Sequence, residues 1–454
     1  MTAHSHDAIS AVERVDHAVA RVLAVNPQVN AFTHFTFERA RREAADIDQR
    51  RQRGELLGPL AGVPYAVKNL FDIQGLTTVA GSVVHRSAPP ASEDAVLVAR
   101  LKAAGAVLMG GLNMDEYAYG FTTENSHVGP TRNPHDLARV AGGSSGGSGA
   151  AVAAGMVPLT LGSDTNGSIR VPSSLCGVWG MKPTFGRLSR RGTFPFVNSL
   201  DHLGPIAQDV DLLSAAYDAM QGPDPLDPGC HATRIQPTHE ALSLGVEGLR
   251  IGVLGGYFHD LSSEAARTSL QTVATALGAR DTVTWPDAAL ARAAAFIITA
   301  SEGGALHLEN LRRCPEEFEP LSVDRFIAGA LQPAAWYVRA QRFRRAYRDK
   351  VLALFQDWDI LLAPATPVCA QPIGTEWIEI QGQRMPCRAA MGVLTQPVSF
   401  AGCPVVTAPV WPSGIQGLPL GVQLIAPPWR EDLALRAAHA LQSMGVAHVQ
   451  ERQA

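Results

Sequence analysis

Between Gly142 and Thr184 the chain reads GGSSGGSGAAVAAGMVPLTLGSDTNGSIRVPSSLCGVWGMKPT. The stretch is dense in glycine and serine, yet it carries the apolar runs AAVAAGMV and LTLG. Flexible linkers lack such hydrophobic content, so this segment is expected inside a packed fold. Its glycines allow φ > 0 and let backbone N–H groups come close to a ligand. Ser144, Ser145 and Ser148 open the stretch, and Ser168 follows Asp164-Thr165-Asn166-Gly167. Upstream, a single lysine, Lys68, stands in the apolar segment AGVPYAVKNLFD. An ammonium is costly to bury unless it is paired or neutral. One such lysine with two glycine-embedded serines is the minimum set for a Ser-Lys nucleophile system.

Composition narrows the class. Of 454 residues, 46% are hydrophobic and 18% charged, enough for a sizeable core. Lys and Arg total 38 against 42 Asp and Glu, a balance that argues against a nucleic-acid partner. No uninterrupted apolar stretch of about 18 residues stands out, so no spanning helix is expected. The start, MTAHSHDAISAVERVDHAV, lacks the basic and apolar regions of a secretory signal. Cys176, Cys230, Cys314, Cys369, Cys387 and Cys403 are scattered without a C-x-x-C pair, neither a zinc pattern nor a disulfide scaffold. A cytoplasmic, reduced, metal-free protein is the expectation.

Taken in order, about Ala8–Leu23 and Thr36–Arg53 have helical character, the second ending before Gly54. AVKNL reads as a buried strand carrying Lys68. DAVLVARLKAAGAVLMGGLNM reads as a helix and a buried strand, an α/β unit. DEYAYGFTTENSHVGPTRNPH is a loop, with His127 and His135 expected to bond backbone. RLSRRGTFPFVNSLDHLGPIA is expected to be loop and DVDLLSAAYDAMQ helix. Further helices are expected near Asp287–Arg313, Pro333–Phe355 and Glu431–Met444, and further strands at RIGVLGGYF, DILLAPATPV, PVVTAPV and GVQLIA. Two other motif readings are open to test. Gly142–Gly146 formally fits G-x-S-x-G, but no later histidine has a distinctive context. A phosphate loop fails for want of G-K-[ST] after the glycines.

At GGSSGG, GSDTNGSIR, CGVWGMKPT and the lysine of GVPYAVKN, and in the spacing of Ser144 and Ser168, the sequence resembles the amidase signature family. The resemblance continues through GGLNMDEYAYGFTTENS, TRNP, WDILLAPATP, TQPVSFAGCPVVTAPV and GLPLGVQLIAPP, from about Asn30 to about His439. It implies an α/β fold, a central mixed twisted β-sheet with helices on both faces, in one domain over 1–454. Residues 1–55 would form a helical N-terminal cap, 56–210 the signature core, and 211–454 a substrate-determining half that completes the sheet.

It also implies a chemistry. Neutral Lys68 takes a proton from Ser144, which takes one from the nucleophile Ser168. The N–H groups of Thr165, Asn166, Gly167 and Ser168 form the oxyanion hole. Asn166 stands where glycine is expected, and Asn tolerates the left-handed region. Ser145, Asp164 and Arg170 are structural. Substrate binding falls to Gly143, Tyr117, Asn166, Tyr337 and Arg344. Arg344 is preferred to Arg339, Arg342 and Arg345 because its segment resembles the corresponding segment of glutamine-forming tRNA amidotransferases. Arg132 or Arg342 is next in line, and Trp336, Ala340, Phe343 and Tyr347 form the buried stripe of that helix.

The implied substrate is a small carboxylated ureide that releases ammonia. The alternatives are oxalurate-, biuret- or allophanate-type ureides, a glutaminase-type subunit, or a non-catalytic binding subunit. The implied partner is a small helical accessory subunit, with dimerisation to a heterotetramer. No cofactor, metal, membrane or direct nucleic-acid contact is implied.

Overall fold

The computed structural model describes residues 9–414 and 417–450. Its strands are β1 (Phe32–Phe35), β2 (Pro64–Lys68), β3 (Val107–Leu112), β4 (Arg132–Asn133), β5 (Asp136–Val140), β6 (Leu159–Ser163), β7 (Trp179–Lys182) and β8 (Leu203–Ala207), then β9 (Ile251–Leu254), β10 (Asp281–Val283), β11 (Ile360–Pro364), β12 (Trp377–Ile380), β13 (Gln383–Pro386), β14 (Val405–Val410) and β15 (Leu420–Ile425). Eleven of them make one sheet in the order β1-β3-β2-β6-β8-β7-β14-β15-β11-β9-β10. The other four pair as two hairpins, β4–β5 and β12–β13.

The sheet is mixed. β2 runs parallel to both β3 and β6, and β9 to both β10 and β11. The strands between these blocks are antiparallel. Side chains on successive residues leave opposite faces, and both faces are covered. On β2, Tyr65 and Val67 join one apolar layer and Ala66 joins the other. On β3, Leu108 joins the first layer while Val107 and Met109 join the second. Strands buried on both sides read as continuous apolar runs, as LGVQLI and VVTAPV do.

The sequence reading needs three corrections. The first helix spans Ala11–Val29, started by a Ser10/Glu13 capping box, while Ala8 lies outside the described residues. The N-terminal segment is not helical throughout, since β1 adds an edge strand antiparallel to β3. LGPIA, expected to be loop, is β8 and pairs with both β6 and β7. Its glycine and proline hide a strand that is buried throughout. The helix Ala288–Leu306 is long and apolar enough to cross a membrane by composition. It packs one face into the fold through Ala291, Ala295 and Ile298 and leaves Leu290 and Leu306 exposed, so the expectation of no spanning helix is not overturned.

Candidate active site

Lys68 ends β2 and Ser163 ends β6, and these strands are parallel neighbours. Both side chains therefore emerge at the same carboxyl edge of the sheet, where open α/β sheets place their sites. Lys68 is 0% exposed. Its Nζ donates to Ser144 Oγ at 2.7 Å and to Ser163 Oγ at 2.8 Å. Burial pushes the ammonium pKa down to about 7, against the opposing pull of Asp115, Asp201 and Asp164. A free lysine titrates near ~10.4, so burial turns this one into a group able to act as a base at neutral pH.

The three serines after Gly142 are not equivalent. Ser145 Oγ donates to Ser163 O at 3.1 Å and accepts from Ser163 N at 3.2 Å. Ser148 Oγ donates to Leu161 O at 3.0 Å. Both tie the helix Gly146–Ala153 to β6, and Ser144 alone turns to the lysine. The Gly143–Ser144 peptide is cis. A Cβ at Gly143 would lie 2.2 Å from Asp115 Oδ2, so only glycine fits there.

The segment from Asp164 to Ser168 is held from behind. Asp164 and Arg170 form a fully buried bidentate pair, with Nε to Oδ2 at 2.9 Å and Nη2 to Oδ1 at 3.0 Å. Arg170 holds the Asp164 carboxyl far below the usual range despite its burial. Nη1 of Arg170 donates to Gln423 Oε1 at 2.7 Å and to Thr395 O at 3.1 Å. Thr395 Oγ1 in turn donates to Asn166 O at 2.7 Å.

With the turn fixed this way, the N–H groups of Thr165, Asn166, Gly167 and Ser168 make no hydrogen bond among the described residues. Buried amide donors are nearly always paired, so four free ones in a row form a preorganised anion site. The left-handed residue expected at Asn166 is Gly167, with φ +140°. A Cβ at Gly167 would sit 2.1 Å from Thr395 Oγ1.

Ser168 is buried, and its carbonyl accepts from Ser145 N at 3.3 Å, which sets the two serine segments side by side. Its Oγ has no hydrogen bond within the described chain, and no bond joins it to Ser144 Oγ. The hydrogen-bonded chain thus runs from Lys68 to Ser144 and stops short of Ser168. Ser168 lines a narrow cavity together with Thr165, Asn166, Thr299, Phe296 and Gln396. Asn166 Nδ2 donates to Thr299 Oγ1 at 2.9 Å. Its Oδ1, and Nε2 of Gln396, are buried without a partner.

Three expected substrate residues stand elsewhere. Tyr117 turns away from the cavity into an aromatic cluster with His85, Phe194, His307, Phe318 and Phe326. Its chain neighbours Ala118 and Tyr119 are the ones that line the cavity. Tyr337 donates to Glu302 Oε1 at 2.9 Å. Arg344 is 9% exposed and faces a separate cleft with Gln341, Arg345 and Arg348. Its Nε donates to Phe400 O at 3.1 Å, and its guanidinium lies over the rings of Phe185 and Phe400. The arginine on the cavity wall is Arg325, from the helix Val323–Ala330.

Arg325 Nη2 donates to Tyr119 O at 2.9 Å, and its guanidinium stacks 4.3 Å from the Tyr119 ring centre. Among the described residues no carboxylate lies within ion-pair distance of it. Nothing in VDRFIAGA singled it out, because an arginine on an amphipathic helix ordinarily faces water. Two smaller expectations also change. Trp336 is 52% exposed and leaves the buried stripe. His127 Nε2 meets the Glu116 carboxylate at 3.0 Å in place of backbone, whereas His135 does bond the carbonyl of Cys176.

The Amidase family profile matches residues 13–435. The chain belongs to the amidase family. It is accordingly an amidohydrolase, with the mixed sheet and flanking helices of that fold. This amidase is 69% identical over 440 residues to AtzE, a 1-carboxybiuret hydrolase subunit of Pseudomonas sp. (strain ADP), covering 97% of this chain and 96% of the relative. It is 37% identical to the GatA-type subunit of the glutamyl-tRNA(Gln) amidotransferase of Chloroflexus aurantiacus (strain ATCC 29366 / DSM 635 / J-10-fl), covering 97% and 95%. A solved structure described as a vestigial protein complex that reveals the evolutionary origins of an s-triazine catabolic enzyme superposes with a TM-score of 0.97, at 69% identity and 97% coverage of each chain.

Proposed function

We propose that this amidase removes ammonia from a small carboxylated ureide of the 1-carboxybiuret type, through an acyl-enzyme on Ser168. Ser168 Oγ attacks the amide carbonyl, and its proton passes through Ser144 to neutral Lys68. The oxyanion forms against the free N–H groups from Thr165 to Ser168. When the C–N bond breaks, Lys68 returns the proton through Ser144 to the leaving nitrogen, which departs as ammonia. Water then attacks the acyl-Ser168 ester, with the same lysine taking its proton. Asn166 Oδ1 and Gln396 Nε2 are a free acceptor and a free donor for the N–H and C=O groups of a ureide. Arg325 meets the substrate carboxylate.

The observation that carries the reading is Arg325, a cation with no carboxylate partner among the described residues, on the wall of a small cavity that also holds Ser168. A carboxylate must be desolvated to enter, which is unfavourable unless a cation receives it. The 69% identity to a 1-carboxybiuret hydrolase subunit supports the same substrate class. The test is ammonia release from 1-carboxybiuret, biuret and glutamine. Arg325→Ala is expected to cost ~2–5 kcal/mol, about thirty- to several-thousand-fold in kcat/KM, on the carboxylated ureide and far less on biuret. Arg344→Ala is expected to lower both alike. Glutamine turned over faster than either ureide would move the reading to the glutaminase-type subunits. The six cysteines are free, in keeping with a reducing cytoplasm. The complex described for the similar structure supports a partner subunit; that it is small and helical and completes a heterotetramer is part of the proposal, which co-expression and light scattering test.

A further inference from the structure

Asp115 is a buried carboxylate that the proton relay leaves unused, and it touches the relay closely. Its N–H donates to the carbonyl of Ser144 at 3.2 Å. Its Oδ2 accepts from Thr123 N at 3.0 Å and fills the space where Gly143 has no side chain. Three carboxylates act on Lys68 from three elements: Asp115 after β3, Asp164 after β6 and Asp201 before β8. Asp164 is neutralised by Arg170, with Lys182 and His202 behind it. Asp201 is held by Thr165 Oγ1 and by the N–H groups of Phe196 and Val197.

Asp115 Oδ1 accepts from Arg388 Nη2 at 2.9 Å, and no other ion pair reaches Asp115 among the described residues. Arg388 belongs to the short helix Cys387–Ala390, directly after the β12–β13 hairpin, and the next residue, Ala389, lines the cavity. Its Nη2 also reaches Tyr119 O at 3.3 Å, the carbonyl that receives Arg325. Its Nε and Nη1 are buried without partners, so one nitrogen holds this helix to the site electrostatically.

We infer that Arg388 is a positioning residue that sets the charge state of Lys68, by cancelling Asp115 while the Cys387–Ala390 helix is seated over the cavity. Without Arg388 the Asp115 charge is offset only by Arg325, which makes no ion pair with it, and so favours the ammonium. Without Asp115 the guanidinium charge is left over and favours the neutral amine. The two losses therefore act in opposite directions, which loss of packing would not do. The inference rests on Lys68 acting as the base.

The test is the rate of inactivation by phenylmethanesulfonyl fluoride against pH, on the full chain with its accessory subunit if one proves necessary. In that reaction Ser168 Oγ bonds to sulfur, fluoride leaves, and the serine proton passes to Lys68. The probe carries no carboxylate, so the result does not depend on the ureide assignment. Arg388→Gln is expected to move the rising limb up by about one pH unit, and Asp115→Asn to move it down by a similar amount. Arg388→Lys, which keeps the charge, is expected to return it to the wild-type position. If both single variants keep the wild-type midpoint, or shift it in the same direction, the inference is overturned. Should Asp115→Asn fail to fold, the contrast of Arg388→Gln with Arg388→Lys decides alone. A sulfonyl group mapped by mass spectrometry to a residue other than Ser168, or full reactivity in Lys68→Arg, would overturn the underlying mechanism instead.

Discussion

Lys68 has two hydroxyl neighbours and no carboxylate in contact, and that pairing decides what it can do. A lysine inside a salt bridge would stay charged, whereas this one is pushed by burial down to about 7. Activity should therefore rise with pH through about 7 and level off above it, read as the acid limb of kcat/KM, which reports the free enzyme. Lys68→Arg should be inactive at every pH, since a guanidinium does not give up its proton in the working range. Ser168 makes the complementary case. Its Oγ holds no hydrogen bond within the described chain, so nothing structural is lost with it. Ser168→Ala should keep the wild-type unfolding temperature within a few degrees and lose activity by a factor on the order of 10⁴–10⁶, measured as ammonia release; a normal rate would place the nucleophile elsewhere. Lys68 was legible because a lone lysine in an apolar run is chemically expensive. Ser163 was not, because a serine at the end of LTLGS carries no such signal until the parallel pairing of β2 and β6 puts it beside Nζ.

At the scale of elements, the Asp164–Ser168 turn shows how far the sequence could be read. The TNGS pattern located the donor turn, but it did not say which residue bends it. Gly167 carries the positive φ, and Asn166 instead points its side chain toward Thr299. Gly167→Ala would be both strained at φ +140° and blocked by Thr395 Oγ1 at 2.1 Å. Displacing the N–H row should lower kcat by about 10²–10³-fold, while thermal unfolding shifts much less; an unchanged kcat would remove the turn from catalysis. Helices were harder to read where their charge faces inward. Sequence periodicity does not single out the helix Val323–Ala330 or, with it, Arg325. The helix that was found, Ala334–Leu354, turns Arg344 to a cleft of its own. Sequence periodicity gives the face of a helix but not what stands opposite it. A cation facing a cavity therefore reads the same as one facing water. The half of the site proposed to be catalytic was legible because such chemistry needs rare residue types in a fixed local pattern. The specificity half was not, because it is assembled from side chains far apart in the chain.

For the whole molecule, the buried lysines make stability depend on pH in a direction that surface charges would not. Lys182 is fully buried like Lys68, bonded to the carbonyls of Pro183 and Cys403, and burial pushes it too down to about 7. Both depressed values mean that the unfolded chain binds a proton at each site which the folded chain does not, between about pH 7 and the ordinary lysine range. Stability rises with pH wherever the unfolded state holds more protons. Each lysine adds about 1.4 kcal/mol per pH unit inside that window. Other groups limit the range: burial raises the thiols of Cys176, Cys387 and Cys403, so they oppose the gain above about 8.5, where unfolded thiols ionise. His127, raised by Glu116, opposes it near neutrality, since its contribution is complete below the ordinary histidine pKa and fades above it. Between pH 7 and 8.5 the two lysines should dominate, and the free energy of unfolding in urea should increase by about 2–3 kcal/mol. Lys68→Met, which removes one titrating group, should be more stable than the wild type at pH 7 and show about half the slope. A wild-type stability that is flat or falling over this interval would mean that the lysines stay charged in the folded protein, and Lys68 could not then serve as the base.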